Sequence, residues 1–288
     1  MKKYIAFGAT VLVLTTMTPG LAQAQTDPDW TAPVAPFRIA DNVYYVGTKG
    51  IGVYLIAANH EAILLDGGPE AAAPLIEQNI KALGFKLSDI KIIINTHAHL
   101  DHAGGIARLK RDTGATVYAS PGDRWALEHG THDGDTNYPT GHFPPVHVDH
   151  VLKDGQSVAL GGVRMMATFT PGHTRGCTTW STQVIAPNRV LNVVFPCSLT
   201  IGGNILVGNR RYPGIAGDYE RSFALTRAMK ADIVLTNHPE MADVLDREAR
   251  AKAGQANAFV DPQQLGRIAA NARAAFEKER AKEMRRKR

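Results

Sequence analysis

The run Thr96-His97-Ala98-His99-Leu100-Asp101-His102 constrains this chain more than any other stretch. Four side chains able to ligate a metal fall within six residues, directly after the apolar segment Lys91-Ile92-Ile93-Ile94-Asn95 and before a helical pattern. At the end of a strand alternate residues point the same way, so His97 and His99 can meet one ion. The chain then turns, and Asp101 with His102 can face a second position. Two further histidines sit just past apolar strands, His173 in Thr170-Pro171-Gly172-His173 and His238 in Thr236-Asn237-His238. Nitrogen and carboxylate donors without cysteine suit zinc in an open site rather than a closed structural one. His60, His129, His132, His142, His147 and His150 lack this context and are read as ordinary surface or core residues.

The rest of the chain organises itself around these strand ends. Val43-Tyr44-Tyr45-Val46, Val53-Tyr54-Leu55-Ile56 and Ala62-Ile63-Leu64-Leu65 are short runs rich in Val, Ile, Leu and Tyr joined by Gly- and Asn-containing turns, which predicts an N-terminal meander. Glu70 to Leu83 switches to helical period, with Leu75, Ile76, Ile80 and Leu83 on one face. A second helix is expected over Gly105 to Thr113, followed by a strand Thr116 to Ala119. Residues 129 to 148 show no period and form a long loop, the kind that is functional or mobile in compact enzymes. Strands resume over Ser157 to Leu160, Val163 to Thr170, Thr178 to Ile185 and Val190 to Phe195. Asp218 is the expected N-cap of a helix reaching Lys230, and Ile233 to Thr236 is a strand. Asp261 and Pro262 open a last helix with Leu265, Ile268, Ala272 and Phe276 inward, its basic end fraying into solvent. Two similar halves, each placing a strand before a histidine-bearing loop, suit two sheets packed face to face with helices outside.

Met1-Lys2-Lys3, an apolar run from Ile5 to Met17 too short to anchor, Pro19-Gly20 and Ala22-Gln23-Ala24 together fit a secretory signal cut after Ala24. The expected organisation is therefore a signal peptide over 1–24 and one domain over 25–288. Export to a bacterial periplasm places Cys177 and Cys197 where a disulfide can form, although sequence leaves open whether they are within bonding range. Loss of Lys2 and Lys3 leaves 30 basic against 27 acidic residues, and much of the excess lies between Arg280 and Arg288. Charge thus gives no sign of a nucleic-acid partner.

By its HxHxDH run the chain resembles the metallo-β-lactamase superfamily, and within it a subclass-three enzyme, over nearly all of the mature sequence. The resemblance implies an α/β fold, the four-layer αβ/βα sandwich of two packed mixed sheets with helices on the outer faces. It also implies a zinc-dependent β-lactamase that opens the ring of penicillins, cephalosporins and carbapenems by a zinc-bound hydroxide, and so confers antibiotic resistance. Two Zn2+ per subunit are expected, one on His97, His99 and His173, the other on Asp101, His102 and His238. Asp101 is then also catalytic, orienting the hydroxide and helping to relay its proton.

Thioester hydrolases of the glyoxalase II type place a metal-bridging aspartate after the strand that corresponds to Val190–Phe195. Here the chain reads Pro196-Cys197-Ser198-Leu199-Thr200, and the subclass-three pattern makes Ser198 and Thr200 substrate-binding through the drug's carboxylate. Trp30 resembles an N-terminal aromatic reaching the cleft, Gly134 to Pro145 would form one lip, and Asp66 would hydrogen-bond a metal-bound histidine or cap a turn. A periplasmic thioester or lactone hydrolase is the alternative, and an exported zinc carrier a further one. The partner implied is a small-molecule β-lactam, with no nucleic acid, no membrane after cleavage, and a monomeric chain.

Overall fold

Continuous apolar runs such as Ala62-Ile63-Leu64-Leu65 and Ile92-Ile93-Ile94 belong to strands buried on both faces, and they lie at the centre of a seven-stranded sheet. The computed structural model describes residues 27–136, 141–187 and 189–287, so the expected signal segment lies outside the described residues. The first sheet has the order β1 (Phe37–Ala40), β2 (Val43–Tyr45), β3 (Tyr54–Ala58), β4 (Glu61–Leu65), β5 (Ile90–Ile94), β6 (Thr116–Ala119) and β7 (His150–Val151). The first four strands form an antiparallel meander, whereas β4 to β7 are parallel. Parallel neighbours need crossovers. These are α1 (Ala73–Ala82), then α2 (Leu100–Ala103) with α3 (Ile106–Thr113), then α4 (Pro121–His129).

The second sheet contains β8 (Ser157–Leu160), β9 (Val163–Phe169), β10 (Thr178–Ala186), β11 (Arg189–Phe195) and β12 (Ile233–Val234), in the spatial order β12-β11-β10-β9-β8. Only β12 runs parallel to its neighbour, after the crossover helix α5 (Ile215–Ala228). Helices α6 (Val244–Lys252) and α7 (Gln264–Arg286) complete the described chain. Between the sheets lie Tyr54, Ile56, Ile63, Leu65 and Ile94 from one side and Met165, Ala167, Trp180, Val193 and Phe195 from the other. Neighbouring residues Leu55, Leu64, Ile93 and Val117 turn to the opposite face and pack on Ile76, Ile80, Ile106 and Leu109 of α1 and α3. In the other half α5 and α7 pack together through Tyr219, Phe223 and Phe276. The expected four-layer sandwich of two mixed sheets with helices is thus the observed fold.

Several local expectations need correction. Asp218 is not an N-cap: α5 starts at Ile215 after Gly214, and the Asp218 carboxylate instead accepts the Tyr212 hydroxyl at 2.5 Å. The strand expected over Ile233–Thr236 pairs only at Ile233 and Val234, because the chain leaves the sheet to carry His238 toward the site. Helix α4 has no counterpart in the sequence reading, although Pro121 at its first turn marks the start. The basic end of α7 does not fray. Glu283 accepts the backbone N–H of Leu206 at 2.9 Å and of Val207 at 2.8 Å, and Lys287 Nζ donates to the Val207 carbonyl.

Candidate metal centre

His97 and His99 follow β5, His173 follows β9 and His238 follows β12, so three strand ends deliver them to one edge of the sandwich. Asp101 and His102 lie in the short helix α2, whose start at Leu100 turns the chain immediately after His99. A ring nitrogen from each of His97, His99 and His173 falls within 4.8 Å of the others, and so do the donor atoms of Asp101, His102 and His238. Asp101 Oδ2 stands 3.0 Å from His102 Nε2 and 3.3 Å from His238 Nε2. All six residues singled out in the sequence therefore meet, in the two groups of three expected.

The three rings of the first group are held from behind. Asp66, buried and at φ +65°, accepts from Thr96 N at 2.7 Å, Thr96 Oγ1 at 2.7 Å and Asn95 Nδ2 at 2.9 Å. The Thr96 hydroxyl lies 3.1 Å from His97 Nδ1. Asp66 thus reaches the histidine through a hydroxyl rather than by direct contact. His173 Nδ1 donates to the Thr200 carbonyl at 2.7 Å, which also accepts the Tyr219 hydroxyl at 2.7 Å. His99 Nε2 faces His132 Nδ1 at 2.8 Å, a contact that the sequence reading missed because His132 lies in the aperiodic loop and follows no strand. Asp123 of α4 ties the two halves together. Its carboxylate accepts from Ala98 N, Gly176 N and Thr174 Oγ1, each at 2.9 Å, and so fastens the His97–His99 loop to the His173 loop. Below them the two cysteines form a disulfide with Cα atoms 5.7 Å apart, deciding the pairing that the sequence left open.

The electrostatics favour neutral imidazoles in the first group. Burial holds His97 and His99 well below the ordinary histidine range, with neighbouring histidines adding to it, and burial pushes His173 down to about 4. Burial opposes the charge on Asp101 and on His102. Their mutual attraction outweighs it, so the Asp101 carboxyl is held well below its usual range and His102 is raised. Neutral lone pairs beside an ionised carboxylate are the forms that bind a divalent cation. His97 Nε2 is buried without a hydrogen-bond partner, an orphan that a metal ion would satisfy. The donors present therefore fit metal binding.

Four of these groups, His99, Asp101, His173 and His238, line an open groove with a cavity volume of about 200 Å³. Trp30, Leu100, His132, Thr136, Phe143 and Gly202 form its walls. Trp30 lies with its ring centroid 6.4 Å from that of His238. Thr200 lines the groove, whereas Ser198 sits beneath it with Oγ 2.9 Å from Thr200 Oγ1. Gly202 adopts φ +58°, and a Cβ there would fall 2.6 Å from His173 Cε1, so the wall can approach that ring only without a side chain.

The sequence profile of the Metallo-beta-lactamase superfamily matches residues 47–238, a span holding all six donors. The chain belongs to this superfamily. Among solved superfamily structures, a subclass B3 metallo-beta-lactamase of Bradyrhizobium japonicum is 42% identical with a TM-score of 0.86, covering 91% of this chain and 99% of that one. A metallo-beta-lactamase from Legionella gormanii is 37% identical with a TM-score of 0.83, covering 88% of this chain and 98% of that one. A hydroxyacylglutathione hydrolase of Methylococcus capsulatus is 32% identical over 124 residues, which are 43% of this chain and 40% of that protein. The first curated relatives are thus matched over only about 40–51% of their length.

Proposed function

We propose that the protein is an exported zinc-dependent hydrolase that opens the β-lactam ring of penicillins, cephalosporins and carbapenems. The observation that carries this reading is that two donor triads lie side by side and each reaches one groove, the first through His99 and His173 and the second through Asp101 and His238. His97, His99 and His173 would hold one Zn2+, and Asp101, His102 and His238 a second. Bound there, zinc would polarise the lactam carbonyl and lower the pKa of a water to about 7. Asp101, a member of the second triad, would orient the nucleophile and take up its proton. Thr200, with Ser198 behind it, binds the carboxylate that the drug carries, and Trp30 with Phe143 packs on its apolar parts.

Similarity to subclass B3 structures over nine-tenths of the chain supports the lactam over a thioester, which the hydroxyacylglutathione hydrolases suggest. So does the segment Pro196–Thr200, which offers hydroxyls and no carboxylate at the position where the thioester hydrolases of the resemblance carry a bridging aspartate. A buried disulfide suits the oxidising compartment to which the 1–24 segment would direct a single-domain, monomeric chain. No described helix is long and apolar enough to cross a membrane. Purified mature protein should hydrolyse a carbapenem, lose that activity with a chelator and regain it with zinc, while a glutathione thioester assayed alongside is a poor substrate. Full activity without metal, or preference for the thioester, refutes the reading. Asp101→Asn should lower kcat far more than it raises KM.

A further inference from the structure

Each imidazole of the first triad has one nitrogen turned away from the common point, and each of those nitrogens has a partner. For His97 it is the Thr96 hydroxyl, for His173 the Thr200 carbonyl. For His99 it is a second imidazole, His132, from the segment between α4 and β7 that supplies none of the six donors. The ring centroids of His99 and His132 are 4.7 Å apart, with the planes inclined at 51°.

We propose that His132 is a positioning residue that accepts the Nε2–H of His99 and so fixes that ring with Nδ1 directed at the metal. The inference rests on reading the triads as a metal centre. An imidazole that binds a cation through Nδ1 carries its proton on Nε2, so in the pair His99 donates and His132 Nδ1 accepts. His132 must then keep its own proton on Nε2. That atom is buried and has no hydrogen-bond partner among the described residues. It lies 3.1 Å from where a Cβ of residue 134 would stand, and residue 134 is a glycine at φ +153°.

The segment delivering the ring is itself tethered. Thr131 bridges to His142, and Asp133 meets Arg175 at 3.3 Å and Arg211 at 3.0 Å. Asp135 accepts from the backbone N–H of Arg210 at 2.8 Å. His132 is therefore presented to His99 from a fixed backbone rather than a free loop.

The test uses the full mature protein and zinc, with affinity measured by competition against a chromophoric chelator and the visible spectrum of the Co2+-substituted protein recorded in parallel. His132→Asn places Oδ1 near the position of Nδ1 and keeps an acceptor, whereas His132→Phe keeps ring volume and removes it. The Phe variant should bind the tighter ion about 10–100-fold more weakly with an altered Co2+ spectrum, and the Asn variant should stay near the parent in both. Equal affinity in parent and Phe variant overturns the proposal, as does an Asn variant as weak as Phe. Long-range 1H–15N spectra of zinc-loaded parent protein decide without any substitution, should the Phe variant fail to fold. A proton on His132 Nε2 and none on Nδ1 supports the assignment, and a proton on Nδ1 overturns it. A parent that binds zinc but opens no lactam ends the functional reading while leaving this one intact; a parent that binds no zinc ends both.

Discussion

Replacing Asp123 by alanine should destabilise the metal-free protein by about 3 kcal/mol at pH 7, and by more in mild acid. Its carboxylate accepts three hydrogen bonds of 2.9 Å from buried donors on two separate loops. At a net value of about 1 kcal/mol each their loss amounts to about 3 kcal/mol, and more where the donors stay dry. Burial pushes the Asp123 carboxyl up from 3.8 to about 6. The folded state therefore holds a proton that the unfolded chain lacks between about pH 6 and 4, and the stability of the parent rises as pH falls through 6. Between pH 7 and pH 5 that gain is about 1 kcal/mol, close to one full proton over one pH unit. The alanine variant has no such group, so its deficit should widen from about 3 to about 4 kcal/mol over the same interval. Asp66, also raised to about 6, is present in both proteins and cancels. Urea unfolding at the two pH values, with chelator present and the disulfide intact, measures both numbers. A deficit below about 1 kcal/mol, or one that narrows at pH 5, refutes the account.

Two further outcomes follow from the same geometry. Changing Cys177 and Cys197 together to serine opens a link between residues 20 apart and should cost about 3 kcal/mol by loop entropy, read as a lower urea midpoint. An unchanged midpoint would show that the bridge constrains nothing that the surrounding sheet does not. Because Thr200 rather than Ser198 lines the groove, Thr200→Val should raise KM for a penicillin about tenfold with little change in kcat, the value of one hydrogen bond to a charged group. The same change seen only in Ser198→Ala would assign the contact to Ser198 instead.

Legibility in the sequence followed the strength of local signals. The strand Thr116–Ala119 and the hairpin arm Ser157–Leu160 were readable to the residue, because apolar content there ends abruptly at polar or glycine turns. The six donors were readable because each lies just past a buried strand or in the turn after it, where backbone direction limits what the side chain can face. Helix α4 was not, since Gly122, Asp123, Arg124 and Glu128 give it little apolar periodicity, and it is held by tertiary contacts such as those of Asp123. The roles of Asp123 and His132 were invisible for a related reason. Their partners, Gly176 and His99, lie 53 and 33 residues away, and no spacing rule brings such pairs together.

The grip of α7 on residues 206 and 207 reaches beyond helix stability. Those residues continue the segment that carries Thr200 and Gly202 along the groove. A purification tag fused behind Lys287, or a truncation ahead of Glu283, would therefore tug on the rim that admits substrate. Kinetic constants from such preparations would describe a remoulded mouth.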